Sequence, residues 1–529
     1  MEPRSEDWWQ GALYQVYVRS FADTDGDGFG DLDGVLDRLD HLEWLGVDGI
    51  WLSPVMPSPD RDWGYDVSDY RSIHPELGDL ETFDRLVSEA RSRGIGVVID
   101  LVPNHTSDQH PWFLEARSSR RARRRDWYVW ADPGPDGGPP NNWISPFGGP
   151  AWAFDDATGQ WYLHNFLTEQ PDLNWWNQEV REEFEDILRF WLDRGVAGFR
   201  IDAAHTLVKD RALRDNPPTT EADHPRIRRV GQRPVYNMNR PEVHEIYRRW
   251  RQITDRYGPG RLLMGETWVL ALDQLAEFYG RHSDELHLGQ NFPFAFSDLD
   301  AAQLEDVVAS TETRLPEGSW PAWFGSNHDM PRFPTRWCDG DEDRVRSALL
   351  MLLTLRGTAL LYYGDEIGMH DVAVPRERVR DSVGLRNWPS DLGRDPNRTP
   401  MQWNPEPGVG FTRPGVEPWL PFGDALRCNV AQQQPDVGSI LNLTRDLIRL
   451  RTSTALGRGP YRTVSCRNGV WVWERGERLL IAINLTPERA DVRVGDAEVL
   501  IGTTRERDGG RVRGSILFEP WEGLVLAAR

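Results

Sequence analysis

GFRIDAAH, residues 198–205, has the composition of a short buried strand that ends on charged side chains. Its glycine and apolar positions favour a strand in the core of the protein. Arg200 and Asp202 are two residues apart, so on a strand their side chains point to the same face. Burying two charged groups is costly unless they are paired or take part in chemistry. We therefore expect a functional site where this strand ends.

Three further strand-like runs also carry polar side chains at their carboxyl ends. Four strands that finish in this manner predict that their polar groups meet in one place. The three runs are GVVIDLVPNH (96–105) with Asp100, Asn104 and His105, RLLMGETW (261–268) with Glu266, and WFGSNHD (323–329) with His328 and Asp329.

The order of strand and helix patterns predicts the fold class. Strand-like runs alternate with amphipathic helical patterns such as 32–45, in which leucine and valine recur at helical spacing. Eight such units in order predict an α/β protein built as a (β/α)8 TIM barrel, whose reactive groups lie at the carboxyl ends of the strands. Besides GFRID, the predicted strands are 13–21, 47–54, 94–102, 261–267, 287–294, 321–327 and 358–364.

The alternation breaks twice, and these breaks predict the domain boundaries. Residues 106–174 are rich in Pro, Gly, Trp and Asn, and we interpret them as a subdomain inserted after the third strand. Residues 1–105 and 175–455 then form the barrel, including a long loop at 365–440 and a closing helix at 441–452. From residue 456 the pattern becomes alternating strands, so 456–529 is predicted to be a C-terminal antiparallel β-sandwich.

Composition excludes several classes of protein. The 529 residues are 39% hydrophobic and 27% charged, which is typical of a soluble globular chain. The net charge of −22 argues against a nucleic-acid partner and against an anionic membrane surface. The one basic run, RSSRRARRR at 117–125, is therefore interpreted as a solvated helix face rather than a nucleic-acid site.

Cysteine usage and the amino terminus indicate the compartment. Cys338, Cys428 and Cys466 are odd in number and far apart, with no metal-like spacing, so we expect reduced thiols and no disulfide framework. The opening MEPRSEDWWQ lacks the apolar segment of a signal peptide, and there is no run of about 18 apolar residues. We expect a cytoplasmic protein with no membrane partner.

Three acids form the candidate catalytic group. Asp202, Glu266 and Asp329 lie on different predicted strands and can converge over a space one sugar ring wide. Cleavage of a glycosidic bond needs two carboxyl groups, and a separation of about 5–5.5 Å gives retention of configuration. Arg200 is expected to keep Asp202 ionised as a nucleophile. The alternative is a set of rim acids in salt bridges, which four correctly placed polar ends disfavour.

Taken together, these motifs resemble a known enzyme family. DLVPNH, GFRIDAAH, GETW and SNHD are similar to the four characteristic regions of the α-amylase family of glycoside hydrolases, family 13. QPDLNWWN (170–177), YYGDEIG (362–368) and RTPMQW (398–403) are similar to segments of its α-glucosidase and oligo-1,6-glucosidase branch. The resemblance covers essentially the whole chain, including the insertion and the C-terminal β domain.

The resemblance implies a role for each candidate site residue. Asp202 would be the nucleophile, Glu266 the general acid/base and Asp329 the stabiliser of the transition state. A grip on the non-reducing end closes the pocket at one ring, which makes such an enzyme exo-acting. The remaining implied contacts are His105 and His328 to hydroxyls of the bound glucose, Asp66 and Tyr65 with Arg398 at the non-reducing end, and Phe147 and Phe166 as walls from the insertion.

The loop DTDGDGFGD, residues 23–31, resembles the start of an EF-hand. Position 12 is Gly34 rather than the bidentate Glu that an EF-hand requires, so an EF-hand is excluded. The corresponding loop of the related branch binds calcium or magnesium. The resemblance therefore implies a structural Ca²⁺ or Mg²⁺, the alternative being a solvated acidic turn. The implied ligands are Asp23, Asp25, Asp27, Asp31 and the carbonyl of Phe29.

Ala203, directly after the predicted nucleophile, bears on linkage preference. In related enzymes a valine here accompanies α-1,6 cleavage and a smaller residue accompanies α-1,4 cleavage. The resemblance thus implies a retaining exo-acting α-glucosidase that prefers small α-1,4-linked substrates such as maltose to isomaltose. Sucrose is a further candidate substrate, and transglucosylation an accompanying reaction.

Three alternatives to this function stay open. One is a sucrose- or maltose-isomerising enzyme of the trehalose or isomaltulose synthase type, and another is an oligo-1,6-glucosidase. The third, a non-enzymatic partner of amino-acid transporters, is disfavoured because all three acids are present and no membrane span is found. We expect no organic cofactor, a small oligosaccharide or α-glucoside as ligand, and a monomer or homodimer.

Overall fold

The computed structural model describes residues 6–454 and 456–528. Its central element is a parallel sheet of eight strands in the order β7-β8-β1-β2-β3-β4-β5-β6. A parallel bridge between Gln290 and Ala322 joins the two outer strands, so the sheet closes into a barrel. The predicted (β/α)8 fold is confirmed. The strands are β1 Ala12–Val16, β2 Gly49–Leu52, β3 Gly96–Leu101, β4 Gly198–Ile201, β5 Leu262–Gly265, β6 Leu288–Gly289, β7 Ala322–Phe324 and β8 Thr358–Tyr362.

The strands are buried along their whole length, as expected for a parallel sheet covered on both faces. Their register sets the position of the polar groups. Leu101 pairs with Ile201, and Ile201 pairs with Gly265, so β3, β4 and β5 end at the same level. Asp202 and Glu266 are each the first residue beyond these pairs, which places both at one mouth of the barrel.

Helices surround the barrel, and their apolar faces pack on it. Many begin with an acidic or hydroxyl N-cap, for example Asp79, whose side chain accepts a hydrogen bond from Thr82 N. The α-helices outside the insertion are Leu32–Asp37, Leu39–Leu45, Leu80–Ser92, Gln178–Asp193, Pro225–Val230, Val243–Asp255, Leu272–Glu277, Phe292–Ala295, Ala301–Arg314, Phe333–Arg336, Glu342–Thr354, Ser382–Asn387, Val430–Gln433 and Ile440–Ser453. Short 3₁₀ helices lie at Trp8–Gln10, Val18–Ser20, Asp365–Ile367, Arg376–Arg378 and Asp395–Asn397.

Three of the predicted elements are wrong in detail. The helix predicted at 32–45 is two helices, because Arg38 leaves helical geometry at φ −104°, ψ 5°. The predicted strand 13–21 ends at Val16, and a 3₁₀ turn follows. The predicted strand 287–294 is a two-residue strand followed by a helical turn, because Asn291 caps Phe294 N and a proline occupies the first turn.

The inserted residues form a small unit of their own beside the mouth of the barrel. The helix Pro111–Ser118 and the 3₁₀ turn Arg125–Trp127 lead into a three-stranded antiparallel sheet, whose strands are Trp130–Ala131, Trp152–Asp155 and Gln160–Leu163. The basic run was predicted as a helix face, which is wrong for most of it. Arg117 and Ser118 end the α-helix, and residues 119–124 are not helical. Arg125 begins the 3₁₀ turn and is buried, with its guanidinium 3.3 Å from the ring centroid of Trp130.

The C-terminal residues form antiparallel β-structure, with one sheet of six strands and a second sheet of two. The strands are Tyr461–Arg467, Val470–Arg475, Leu479–Asn484, Ala490–Arg493, Ala497–Gly502, Arg511–Val512, Ser515–Phe518 and Gly523–Ala528. Within residues 6–454 and 456–528, no helix has the length and apolar character needed to cross a membrane.

Candidate active site

Arg200 is the centre of a buried carboxylate cluster at the mouth of the barrel. Its Nη1 donates to Oδ1 of Asp202 at 2.8 Å and to Oδ1 of Asp100 at 2.9 Å. Its Nη2 lies 2.8 Å from Oε2 of Glu266, an ion-pair contact without hydrogen-bond alignment. One fully buried guanidinium thus links β4 to the acids that follow β4 and β5.

Burial and mutual repulsion both act on the carboxyl groups of this cluster. Burial raises the pKa of Asp202 well above its ordinary value, and the carboxylates of Glu266 and Asp100 raise it further, against the opposing charge of Arg200. Burial likewise raises the pKa of Asp100 to about 6. Arg200 lowers both pKa values, and its expected role of keeping Asp202 ionised stays a prediction.

Asp329 has the opposite electrostatic environment. Its Oδ1 lies 3.1 Å from both Arg394 Nη1 and Arg398 Nη2, and its Oδ2 lies 3.0 Å from His328 Nε2. Burial favours the neutral carboxyl, but His328 and the two arginines outweigh it and hold the pKa of Asp329 well below its ordinary value. Asp329 is therefore an anion beside two carboxyl groups whose pKa values burial raises.

His328 is held in one orientation by its neighbours. The amide of Gln15 on β1 lies 2.8 Å from Nδ1, and donation from that amide leaves the ring proton on Nε2, facing Asp329. The ring stacks on Tyr65, with centroids 5.2 Å apart and planes 3° from parallel. Burial lowers the pKa of His328 to about 4, so the imidazole is neutral at neutral pH.

Tyr65 and His105 both line the cavity above these acids. The hydroxyl of Tyr65 donates to Oδ2 of Asp100 at 3.0 Å. Nε2 of His105 lies 3.0 Å from the backbone carbonyl of Tyr65 and 3.2 Å from the amide of Gln170. The structure thus places both residues where the sequence predicted contact with the bound ligand.

Asp66 does not reach the cavity, contrary to the prediction. Its side chain is fully buried beneath the loop, where Oδ1 accepts hydrogen bonds from Ser58 Oγ and Asp62 N, and Oδ2 accepts one from Arg61 N. On this loop, the acid that lines the cavity is Asp62, four residues before Asp66. Asp66 therefore fixes the loop that carries the functional acid.

The arginine that lines the cavity is likewise not the predicted one. Arg398 is fully buried and contacts Asp329, but it does not line the cavity. Arg394, again four residues earlier, lines the cavity and places its Nη2 2.5 Å from Oδ1 of Asp62. Asp62 and Arg394 thus form an ion pair in the wall of the cavity.

Two aromatic side chains from the insertion lie beside this ion pair. Phe147 and Phe166 both line the cavity and contact each other edge to face, with centroids 5.5 Å apart. The guanidinium of Arg394 lies 5.2 Å from the centroid of Phe147. The whole cavity, which Trp268 also lines, has a volume of about 240 Å³, below the roughly 300–1,000 Å³ typical of drug-sized ligands.

Ala203 connects the two reacting carboxyl groups through the backbone. Its N–H donates to Oε2 of Glu266 at 2.9 Å, directly after Asp202 in the chain. Its φ is +43°, a left-handed conformation that is uncommon for residues other than glycine. The side chain lines the cavity between the two acids. A strained turn at this point is typical of a site whose geometry is imposed by function.

Comparison with known proteins agrees with this geometry. The family described as "Alpha amylase, catalytic domain" matches residues 15–459. The chain belongs to the α-amylase family. A "Probable alpha-glucosidase" of Rhizobium meliloti is 42% identical over 93% of this chain and 91% of its own. An oligo-1,6-glucosidase of Heyndrickxia coagulans is 36% identical over 98% and 99%.

Solved structures of the α-amylase family superpose closely on this chain. The α-glucosyl transfer enzyme XgtA has a TM-score of 0.92 and 38% identity over 99% of both chains. The trehalulose synthase MutB of Pseudomonas mesoacidophila has a TM-score of 0.88 and 32% identity over 98% of this chain and 99% of its own. The protein is therefore a glycoside hydrolase of the α-glucosidase and oligo-1,6-glucosidase branch, as the motifs predicted.

Sequence reasoning missed Asp62, Arg394 and Gln15. The first two belong to α-amylase family motifs in which a second acid or arginine lies four residues away, and the chosen member of each pair was the buried one. The signal that could have found them is the repeated residue type, since DWGYD (62–66) offers two acids and RDPNR (394–398) offers two arginines. Gln15 carried no signal, because a polar residue within a buried strand has many structural explanations.

The acidic loop of this family member gathers part of the predicted metal site. Ligand atoms of Asp23, Asp25 and Asp27 all lie within 4.8 Å of one another. Asp31 caps the helix Leu32–Asp37, where Oδ1 accepts from Gly34 N and Oδ2 from Thr24 N. Three carboxylates at this spacing form an oxygen donor set of the kind that a hard divalent cation prefers.

Proposed function

We propose that this protein is a retaining, exo-acting α-glucosidase that removes the terminal α-glucosyl residue from small α-glucosides. The observation that carries the proposal is the ion pair of Asp62 and Arg394 in the wall of the cavity, with the guanidinium of Arg394 beside the ring of Phe147. A charged pair at this position can hold the hydroxyls of one terminal glucose, and it leaves no groove for a longer chain to pass through. A buried polar grip also rejects ligands that lack its partner.

The arrangement of the acids supports a two-step mechanism. Asp202 attacks the anomeric carbon while the carboxyl of Glu266 gives its proton to the leaving oxygen. Asp329, held as an anion, stabilises the positive charge that develops on the sugar ring. Water or another hydroxyl then attacks the glucosyl–Asp202 ester, and Glu266 takes up the proton of that hydroxyl. The shared guanidinium of Arg200 favours the short carboxyl separation of a retaining enzyme.

The reaction needs one defined protonation state of this cluster. Burial and the neighbouring carboxylates raise the pKa of Asp202 when no substrate is bound. Arg200 contacts both Asp202 and Glu266. Reaction requires the state in which Asp202 is ionised and Glu266 carries the proton. Arg200 can stabilise that state because it donates an aligned hydrogen bond to Asp202 and makes only an ion-pair contact with Glu266.

Linkage preference follows from Ala203, whose small side chain leaves room beside the leaving group. We propose α-1,4 substrates of the maltose type, with sucrose as a further substrate, in preference to isomaltose. A single methyl in such a pocket is worth about 1–3 kcal/mol, so the preference is partial. Transglucosylation accompanies hydrolysis whenever a hydroxyl other than water reaches the intermediate.

A second candidate function is isomerisation of sucrose. It is favoured by the close superposition on a trehalulose synthase. In that case the released fructose would stay bound and attack the glucosyl intermediate through a different hydroxyl. The two candidates differ in products, since hydrolysis of sucrose gives free glucose and fructose and isomerisation gives a disaccharide.

A substrate panel tests the proposal. Maltose, isomaltose, sucrose, trehalose and p-nitrophenyl α-glucoside are incubated with the protein, and products are identified by chromatography. We expect glucose from maltose faster than from isomaltose, and α-glucose as the first anomer detected by proton NMR. A disaccharide isomer from sucrose would favour the second candidate. β-Glucose as the first product would contradict retention.

We further propose that Asp23, Asp25 and Asp27 hold a structural Ca²⁺ or Mg²⁺, while a contribution from Asp31 and the carbonyl of Phe29 stays a prediction. When bound, the ion would neutralise the clustered charges and tie the loop after β1. A ligand at about 100 times its dissociation constant stabilises the folded state by about 2.7 kcal/mol. Chelation should therefore lower the melting temperature by several degrees. Asp27→Asn should already have that lower value and should not respond to chelator.

A further inference from the structure

A further cavity, of about 430 Å³, lies beside the catalytic cavity. Phe147 and Phe166 line both of them, so this pair of rings forms a wall one side chain thick between the two spaces. The other lining residues come from the insertion and from the helix Ser382–Asn387. We propose that this cavity, the outer sugar site, binds one free monosaccharide, and that its ligand is the glucose released next to it. The assignment of glucose rests on the proposed function.

The first support is the apolar surface of the outer sugar site. Phe147 and Phe166 are half-buried, so the protein does not cover their rings completely. Trp152 also lines the site, and its Nε1 already donates to Oδ1 of Asn141 at 2.9 Å, so the indole offers carbon surface. The C–H faces of a pyranose ring are apolar and can replace water on such aromatic rings, which is favourable for both surfaces.

The second support is a set of unused polar groups at the same site. Among the residues that the structure describes, none makes a hydrogen bond to the side chain of Thr168 or of Asn387. The guanidinium of Arg386 has one partner among them, the carbonyl of Phe147 at 3.4 Å. A hydroxyl and an amide can each donate and accept, and a guanidinium supplies a rigid fork of donors. This combination suits the adjacent hydroxyls of a sugar, which also donate and accept.

The charge of the outer sugar site favours a neutral ligand. None of the described residues that line it is an aspartate or a glutamate, so a metal ion or an amine would lack a carboxylate partner. Burial lowers the pKa of His164, so its imidazole is neutral at neutral pH. Arg386 is then the one cationic side chain among the lining residues, and it is exposed to solvent. A neutral polyol with an apolar face uses the aromatic rings and the polar groups together.

The backbone around the wall leaves room for such a ring. Gly148 and Gly149 follow Phe147 with φ values of +92° and +82°, and no described atom lies within 4 Å of a Cβ placed at either position. On the other side of the site, Nδ1 of His164 lies 3.1 Å from the carbonyl of Phe166. A sugar bound here therefore contacts the outer faces of the same two rings that wall the catalytic cavity.

The size of the outer sugar site also matches a single ring. Its volume lies within the roughly 300–1,000 Å³ that small-molecule sites occupy. It is larger than the catalytic cavity, whose volume is about 240 Å³ and which holds one glucosyl unit in the proposed function. The rings of Phe147 and Phe166 separate the two spaces, so a sugar in the outer site is not a continuation of the bound substrate.

A binding measurement with the catalytic cavity blocked tests the inference. The blocking compound is 1-deoxynojirimycin, a glucose analogue with a protonated ring nitrogen. Its cation suits the catalytic cavity, which Asp62, Glu266 and Asp329 line, and does not suit the acid-free outer site. Glucose is titrated into the saturated protein and followed by saturation-transfer difference NMR. We expect a saturable glucose signal with a Kd on the order of 1 mM.

The concentration of the inhibitor supplies the first control. Doubling the deoxynojirimycin should leave the glucose signal unchanged, because the two compounds then occupy different cavities. A glucose signal that falls as the inhibitor is raised would come from the catalytic cavity and would overturn the inference. The absence of any saturable signal would overturn it as well.

Two further compounds test the class of ligand. Sorbitol carries hydroxyls like those of glucose but has no ring to lie on the aromatic surface and more freedom to lose, so we expect it to bind about tenfold more weakly or worse. Inorganic phosphate tests an anionic ligand for Arg386 and should not displace glucose at equal concentration. Sorbitol binding as tightly as glucose, or phosphate displacing it, would contradict a site built for a sugar ring.

Matched variants locate the site. Thr168→Val and Asn387→Leu each remove one unused polar group at similar volume, and each should weaken glucose binding about threefold to tenfold without changing the affinity for deoxynojirimycin. The control Thr313→Val makes the same change at an exposed threonine that lines neither cavity. If both site variants bind glucose normally, or the control weakens binding equally, the assigned site is wrong. Melting temperatures confirm that each variant is folded.

Cleavage of p-nitrophenyl α-glucoside by the same preparation tests the proposed function separately. If the glucoside is cleaved while the blocked protein binds no glucose, only the inference about the outer sugar site fails. If the glucoside is not cleaved and glucose still binds in a manner that Thr168→Val weakens, the proposed function fails and the sugar site stands. The two failures are thereby distinguished.

Discussion

Asp381 accepts three hydrogen bonds from Arg394, two from the guanidinium and one from the backbone. Its Oδ1 lies 3.0 Å from Nε and 2.5 Å from Nη2, and its Oδ2 lies 3.0 Å from the backbone N. Asp381 is fully buried and does not line the cavity. It therefore acts as a positioning residue that aims Arg394 at both Asp62 and Asp329.

Asp381→Asn should weaken catalysis without touching the substrate. The amide oxygen can still accept from Nε and Nη2, but the amide nitrogen then faces the backbone N–H of Arg394 in place of Oδ2, and the negative charge opposite the guanidinium is lost. Arg394 is therefore held less firmly toward its partners. A displacement of about 1 Å in such a group costs roughly 100-fold in rate. We expect kcat/KM for maltose to fall about 10- to 100-fold, with an increase in KM. Asp391→Asn, an exposed acid of the same loop, is the control; an equal loss there would contradict the positioning role.

Asp62 and Asp66 should respond differently to the same substitution. Asp62→Asn removes the charge that faces the cavity, so we expect kcat/KM for maltose to fall about 10- to 200-fold with little change in melting temperature. Asp66→Asn replaces an acceptor of three hydrogen bonds beneath the loop, and it should cost about 1–3 kcal/mol of stability. Kinetics together with thermal melts separate the two, and the reverse pattern would reassign the functional acid.

The roles of Asp202 and Glu266 can be separated by chemical rescue. Asp202→Ala should lower turnover of p-nitrophenyl α-glucoside by about 10⁴-fold or more. Azide can then attack the face that the carboxylate vacated, which gives β-glucosyl azide. In Glu266→Ala the glucosyl intermediate still forms from this activated substrate, and azide gives α-glucosyl azide. Proton NMR of the products decides the assignment, and identical anomers from both variants would contradict it.

Ala203 should couple linkage preference to backbone strain. A residue at φ +43° pays a steric cost, which for a β-branched side chain exceeds the roughly 1–2 kcal/mol of ordinary left-handed residues. Ala203→Val should therefore lower the melting temperature and shift the maltose-to-isomaltose ratio toward isomaltose. Ala203→Gly should relieve strain without that shift. The ratio is measured with both sugars in one assay, and an unchanged ratio in the valine variant refutes the linkage argument.

His110 should make the protein sensitive to acid. Burial lowers its pKa to about 3, whereas an unfolded histidine titrates near 6.5. Between these values the unfolded state binds the extra proton, so the stability from His110 is complete above pH 6.5 and is lost as pH falls toward 3. In this range the free energy of unfolding falls by about 1.4 kcal/mol for each pH unit.

His110→Asn should reduce this sensitivity. Asparagine can still accept the hydrogen bond that His110 Nδ1 receives from Trp112 N at the start of its helix. Loss of ring packing lowers the free energy of unfolding at every pH. The test is therefore how steeply that free energy changes with pH, and not its value at one pH. Urea unfolding between pH 4 and pH 6.5 should show a smaller loss in the variant, and parallel curves for the two proteins would count against the role of His110.

Sequence periodicity by itself determined the barrel and the three central acids. A parallel strand has a fixed repeat and a fixed register, so a polar residue just after an apolar run must lie at the mouth of the barrel. Asp202, Glu266 and Asp329 follow this rule directly. The family motifs then placed Arg200, His105 and His328 beside them, because these residues lie within a strand or a few residues after one, and placed Tyr65 there from the loop that follows β2.

Only the tertiary structure decided which member of each charged pair faces the cavity. Asp62 and Arg394 lie on loops, where side-chain direction depends on distant hydrogen bonds such as those of Asp66 and Asp381. The direction of the pKa shift of Asp202 also could not be predicted from the sequence, because it depends on burial and on charged residues that four different strands bring together. The local sequence determines where the strands end. The electrostatic field at Asp202 and the directions of the loop side chains depend on contacts between segments that are far apart in the chain.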